Sequence, residues 1–159
     1  MTFQIDAQTQ TEAVIRMSRT FDAKRDKVWA ALTTPEQAKR WFGGIGFENP
    51  VCEMDVRPGG VWHHVMRTPD GLEFAMDMVY VEVVKPERLV WHNINYGKGL
   101  PGPPLSINTV TLTDLGDKTG WKMEARFVSF ADREAAMAMG FGDTLRQGCE
   151  RMNEVVQSL

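Results

Sequence analysis

Two of the chain's three histidines stand side by side in Gly59-Gly60-Val61-Trp62-His63-His64-Val65-Met66. Imidazole is the side chain best suited to move a proton or hold a metal near neutral pH. The spacing bears on which of these it could do. Neighbours on a strand point to opposite faces, so this pair cannot grip one ion as two histidines a helical turn apart would. If Trp62 and Met66 face inward, His64 does too, and His63 joins Arg67 outside. A metal site of His64, His92 and Glu82 would draw on three strands, but it has no ligand-spacing signature, and no metal is expected. His64 is then either a hydrogen-bonded histidine at a cavity edge or a group that meets a ligand. In the second case it would contact the ligand as part of the wall or act on it as an acid or base, with Glu82, His92 or Tyr80 as partners in proton transfer.

Other catalytic signatures are missing. The chain has no Gly-x-Ser-x-Gly, phosphate loop, dinucleotide fingerprint, His-Glu-x-x-His or Cys-x-x-Cys. Cys52 precedes Glu53 and Cys149 precedes Glu150, so neither thiol has the basic surroundings that make a nucleophile. Far apart in sequence, they suit reduced thiols in a reducing compartment, though two thiols would allow one bridge. The start, MTFQIDAQTQTEAV, has no basic region or apolar run, and no segment approaches the roughly 20 apolar residues that span a bilayer. A cytoplasmic protein is the expectation. The net charge of −3 gives no broad positive field, which argues against nucleic acid and anionic membranes as partners.

The elements that must position these groups follow from periodicity. The 159 residues fit one domain over 13–159, with residues 1–12 as a flexible tail. Ala13 to Phe21 reads as a strand. Asp22 can cap a short helix from about Lys24 to Leu32. Thr34-Pro35-Glu36-Gln37 reads as a reciprocal capping box opening a second helix, which Gly43-Gly44 ends. From Phe47 to Phe127 the period is two, with turn signals that divide it into about six strands. In the strand over 72–84 the alternation fails after Val79, which predicts a bulge or two-sided burial. After Phe130 the helical period returns, with Asp132 as N-cap. Phe141, Leu145, Gly148, Met152, Val155 and Leu159 then form one stripe. The stripe needs an apolar surface, and only the antiparallel sheet offers one of that size. The fold class is therefore α+β, a curved antiparallel sheet around a C-terminal helix.

Val28-Trp29, Ala31-Leu32-Thr33, Pro35-Glu36, Trp41, Gly59-Gly60, Pro69-Asp70-Gly71, Val79-Tyr80, Glu82-Val83, Pro86-Glu87-Arg88-Leu89-Val90 and Gly140-Phe141 with Leu145 form an ordered series. It resembles small bacterial proteins similar to the heat-shock-protein ATPase activator, within the START-like (SRPBCC) superfamily. The resemblance runs from about residue 13 to the C-terminus. It departs from the family pattern at Met78, where glycine is frequent, and at Phe141, where tryptophan is usual. The resemblance implies the helix-grip fold of the birch pollen allergen, with a deep cavity used for hydrophobic or aromatic small molecules and sometimes for catalysis on them.

Ten methionines and five tryptophans give that interior its character. The inward sets would be Trp62, His64 and Met66; Phe74, Met76, Met78 and Tyr80; Trp121 and Met123, with Phe127; and Phe141 and Leu145, with Met152, from the helix. Such a stripe is plain core or the lining of a site, and methionine adapts its shape to varied apolar guests. Gly148 on the buried stripe means either close approach of the helix or room for a guest. The segment from Tyr96 to Pro104, rich in glycine and proline, reads as a gate or a long hairpin loop, and Trp41-Phe42 as an opposite lip or as packing. Two faces of strand 88–95 are open, one with Val90, His92 and Ile94 and one with Trp91, Asn93 and Asn95.

The leading expectation is a protein that binds a small hydrophobic or aromatic molecule, polyketide-like and lipid-like ones included, without a cofactor. The alternatives are a cyclase or dehydratase acting through His64 with Glu82, Tyr80 or His92, and a chaperone-binding domain. Dimerisation through a sheet edge or the short helices has no signal for or against it.

Overall fold

The computed structural model describes residues 3–6, 12–94 and 104–159. The chain opens with strands β1 (Gln4–Asp6) and β2 (Val14–Phe21), followed by helices α1 (Arg25–Thr33) and α2 (Pro35–Trp41). Six strands come next: β3 (Glu48–Met54), β4 (Val61–Arg67), β5 (Glu73–Val84), β6 (Arg88–Asn93), β7 (Ser106–Asp114) and β8 (Thr119–Phe127). Helices α3 (Phe130–Ala138) and α4 (Phe141–Gln157) finish it. All strands join one antiparallel sheet in the order β1-β2-β8-β7-β6-β5-β4-β3. The two short helices carry the chain from β2 to the far edge, and the meander then walks back until β8 lies against β2. Helix α4 supplies Cys149, Met152, Val155 and Val156 to the core that the sheet encloses. This is the helix-grip α+β arrangement expected from the sequence.

Several local expectations are corrected. Gln4–Asp6 is not a tail but a strand, held by pairing Gln4 with Ser18 and Asp6 with Arg16. Lys24 is the N-cap of α1. Asp22 instead faces α4, where its backbone N–H donates to Asn153 Oδ1 and its carboxylate accepts from Asn153 Nδ2. Thr34 precedes α2 without a side-chain cap, so the capping box does not form. Ser129, not Asp132, caps the penultimate helix, its hydroxyl accepting from the Asp132 N–H at 3.1 Å. The terminal helix is broken at Gly140, whose φ of +83° lies in the left-handed region that glycine alone enters freely. The stripe from Phe141 to Val155 therefore belongs to α4 alone, and Leu159 lies just past its end. The expected irregularity in β5 is a bulge, with the register against β6 shifting between Tyr80 and Glu82.

Candidate functional site

Pairing across the sheet sorts side chains into rows on its inner face. One row runs Met78, Asn93, Ser106, Phe127, and the next Tyr80, Trp91, Asn108, Ala125. The open choice in β6 is thus settled: Trp91 and Asn93 face inward. His92 pairs with Val79 and Ile107 on the outer face. The bulge turns Glu82 outward as well, where it accepts from Arg88 Nε at 3.1 Å.

Two cavities lie between this face and α4. The inner, about 110 Å³, is bounded by Trp62, Met76, Met78, Tyr80, Trp121 and Met123 of the sheet, and by Phe141, Leu145 and Met152 of the last helix. The outer, about 260 Å³, is lined by Met66, Phe74 and Phe47 among others. Phe42, Met76, Phe141 and Leu145 line both, so these four form the partition. Met78 and Phe141, the departures from the family pattern, are both wall residues. Phe42 is a lip shared by the two cavities. Trp41 lines both too, but its indole N–H is fixed at 2.8 Å to the Ala31 carbonyl, tying α1 to α2. The expected gate over Tyr96–Pro104 lies, apart from Pro104, outside the described residues.

Of the lining set read from the sequence, His64 lines neither cavity. It is fully buried. Its Nδ1 accepts from Trp62 Nε1 at 3.2 Å, and its Nε2 meets Asn49 Oδ1 at 2.7 Å. An N–H donor at one nitrogen and an amide oxygen at the other fix the neutral tautomer with the proton on Nε2. Asn49 Nδ2 continues the chain to the carbonyls of Lys39 and Phe42 at 2.9 and 3.1 Å. The Phe42 ring lies on the imidazole, with centroids 4.2 Å apart. Burial, then the proximity of His63 and Lys39, pushes the His64 pKa down to about 3. It stays uncharged, with both nitrogens engaged. His63 stands on the outer face with Asp77 as its partner.

The lip is held from the helix side too. Arg151 Nη1 donates to the carbonyls of Phe42 and Gly44 at 3.1 and 2.8 Å, and Nη2 to that of Arg40 at 3.0 Å. A guanidinium thereby meets the carbonyls left open where α2 ends. Gly148 allows the approach, since a Cβ there would lie 3.2 Å from the Gly43 carbonyl oxygen and 3.4 Å from that of Trp41. Both thiols are free and buried, and burial lifts the pKa of Cys52 to about 11 and of Cys149 to about 12. Arg126 pairs with Glu124 and Glu12, while Arg19 lies over the Phe21 ring at 4.8 Å.

A second polar group in this core is of another kind. Tyr80 Oη, Asn93 Oδ1 and Trp121 Nε1 are buried and have no hydrogen-bond partner among the described residues. All three residues line the inner cavity, as do Ser106 and Asn108, which bond to each other at 3.1 Å. Ser106 and Asn108 are absent from the lining set read from the sequence, while Asn93 stands on one of the two faces of its strand left open there. In β7 the inward set starts with Ser106 and Asn108 while Ile107 faces out, so the usual sign of the alternation is reversed there.

The candidate titratable groups do not converge. Glu82 and His92 lie on the outer face, His64 is enclosed behind Phe42, and Tyr80 alone reaches the cavity. Among the described residues no three His, Cys, Asp or Glu side chains are grouped to hold a metal. No described helix is long and apolar enough to cross a membrane.

A family model described as activator of Hsp90 ATPase homolog 1-like protein matches residues 22–157. Among solved structures, a protein of Nitrosomonas europaea is similar at 25% identity and TM-score 0.83, over 94% of this chain and 97% of that one. A protein of Arthrobacter aurescens gives 20% identity and TM-score 0.88, over 98% and 92%. One of Rhodobacter sphaeroides gives 20% identity and 0.85, over 99% and 100%. The last two speak to the fold alone. No curated protein matches the chain.

Proposed function

The chain belongs to the activator of Hsp90 ATPase homolog 1-like family, and on that premise we propose that it binds a small, largely apolar, ring-containing molecule between sheet and terminal helix. The observation that carries this reading is the inner cavity, about 110 Å³, whose wall is mostly methionine, aromatic and aliphatic, with a few polar groups and no charged side chain. Apolar pockets with a few convergent polar groups are the ordinary form of a small-molecule site. A dry cavity of about 150 Å³ accepts a benzene ring, so a single ring is the upper limit for the inner chamber, and its adaptable methionine side chains must give way to admit one. The outer chamber offers room for a substituent across a partition made of movable side chains. Acid–base catalysis finds less support, because it needs two titratable groups within reach of one point; of His64, Glu82, His92 and Tyr80 only Tyr80 lines the cavity, and the Cys149 thiol beside it is pushed up to about 12 by burial.

The methionines are built-in reporters. With methyl-labelled methionine, titration with toluene should shift the resonances of Met76, Met78, Met123 and Met152, saturably, and raise the melting temperature as a ligand of the folded state must. Unmoved methionine methyls at saturating toluene would defeat the proposal.

A further inference from the structure

From the unpartnered polar atoms we infer that the inner cavity selects an uncharged ring bearing a hydroxyl or carbonyl group, a phenol or aryl ketone, over both a bare hydrocarbon and an ionised acid. The inference rests on the function proposed above and concerns the chemistry of the guest. Folded proteins pair nearly all of their buried polar groups, because an unpaired one costs about 1–3 kcal/mol. Here Tyr80 Oη, Asn93 Oδ1 and Trp121 Nε1 are exceptions, and their residues all line one cavity. Tyr80 and Asn93 stand on neighbouring strands, one inward step apart, and Ser106 pairs directly with Asn93. The wall thus has a compact polar patch in an otherwise apolar chamber. It offers an acceptor at Asn93 and a hydroxyl at Tyr80 that can donate or accept. On β8 of the same face, the Trp121 indole is a pure donor.

Charge is excluded by the same wall. No arginine, lysine, histidine, aspartate or glutamate lines the inner cavity, so an ion would be stripped of water with no opposite charge to meet it. A neutral hydroxyl or carbonyl loses far less on entry and recovers a hydrogen bond at the patch. The ring itself faces Trp62, Trp91 and the methionine side chains, which suit an aromatic face. A patch built for structure would have its members bonded to one another. In this one, only Asn108 and Ser106 are.

The test compares p-cresol, toluene and 4-methylbenzoate, three rings of one size, by calorimetry at neutral pH on the full chain and on Asn93→Leu and Tyr80→Phe. The wild type should bind p-cresol about tenfold more tightly than toluene, the worth of one good hydrogen bond. It should bind 4-methylbenzoate at least about a hundredfold more weakly than p-cresol. Asn93→Leu should abolish the preference for p-cresol, read as the ratio of the p-cresol and toluene affinities within that variant. Tyr80→Phe, which keeps the shape, should reduce that preference by about threefold or more. Equal affinity for p-cresol and toluene in the wild type would mean that the polar atoms do not read the guest, and would overturn the inference while leaving apolar binding intact. So would a benzoate bound as tightly as the phenol, or a p-cresol preference that survives both substitutions. Failure of all three rings to bind would remove the inference together with the proposed function.

Discussion

Two polar groups are buried in this one apolar interior, and they are put together in opposite ways. Behind Phe42, the hydrogen bonds run from Trp62 to His64 to Asn49 and on to the backbone of α2, and each ring nitrogen of His64 has its partner. On the inner face of β5 to β8, Tyr80, Asn93 and Trp121 carry atoms that nothing in the described chain meets. The closed chain does a mechanical job: it fastens the end of α2 and the lip residue Phe42 to the sheet. The open set has no such task, since none of its unpaired atoms holds two elements together. Burial and polarity alone therefore do not mark a site. Whether the polar atoms are satisfied by the fold is what separates them.

Breaking the closed chain should have the largest effect. His64→Leu leaves the Asn49 oxygen and the Trp62 indole unpaired in the core, and should lower stability by roughly 3–5 kcal/mol in urea unfolding. Loss below about 1 kcal/mol would mean that the chain is not a fastener. Next is Arg151→Met, which frees the carbonyls at the end of α2 and should cost about 2–3 kcal/mol, measured in the same way. Since Arg151 and His64 hold the same lip from opposite sides, a double-mutant cycle should show coupling between them.

How much of this was legible follows the same division. The fold was readable because its signals are periodic: alternation through β8, the stripe of α4 and the ordered turn residues each report one face meeting another. The methionine and aromatic wall was readable for the same reason. His64 was placed correctly inside the sheet, but its partner Asn49 lies fifteen positions away on another strand, and no local pattern announces such a pairing. Side-chain capping at Asp22, Thr34 and Asp132 was misread because favourable residue types were present while other contacts won, as when Asn153 engaged Asp22. The open patch is legible only in part. Tyr80 and Trp121 belong to the inward sets and Asn93 to one of two faces left open, but Ser106 and Asn108 break the polar-out rule, and an inward polar residue reads as evidence for the other face.

The closed chain also predicts a pH dependence. His64 is held neutral, with a pKa near 3 against an ordinary value of 6.5. Below 6.5 the unfolded chain takes up a proton that the folded chain refuses, so stability is complete above neutrality and is lost as pH falls from about 6.5 toward 3. By pH 5 the loss from this residue should be about 2 kcal/mol. Urea unfolding between pH 7.5 and 5 should show it. A stability that is flat over that range, or one whose slope persists unchanged in His64→Gln, would contradict the assignment. A smaller effect is expected at Gly148→Ala, where the new methyl presses on the carbonyls of Gly43 and Trp41. That contact offsets the gain in helix propensity and leaves a net loss of about 1 kcal/mol.

The smallest effect has the opposite sign. Removing a partnered polar group from a core destabilises, but replacing an unpartnered one with an apolar side chain removes a standing penalty. Asn93 faces a cavity of about 110 Å³, so leucine's extra volume can be taken up without pressing on neighbours. Asn93→Leu should therefore leave the unliganded protein as stable as the wild type or up to about 1 kcal/mol more stable, raising the melting temperature by a few degrees. Residues kept for binding at the expense of stability behave in this way, and those kept for folding do not. If Asn93→Leu instead lost as much as His64→Leu, Asn93 would belong with the fasteners, and the line drawn between the two polar groups would disappear.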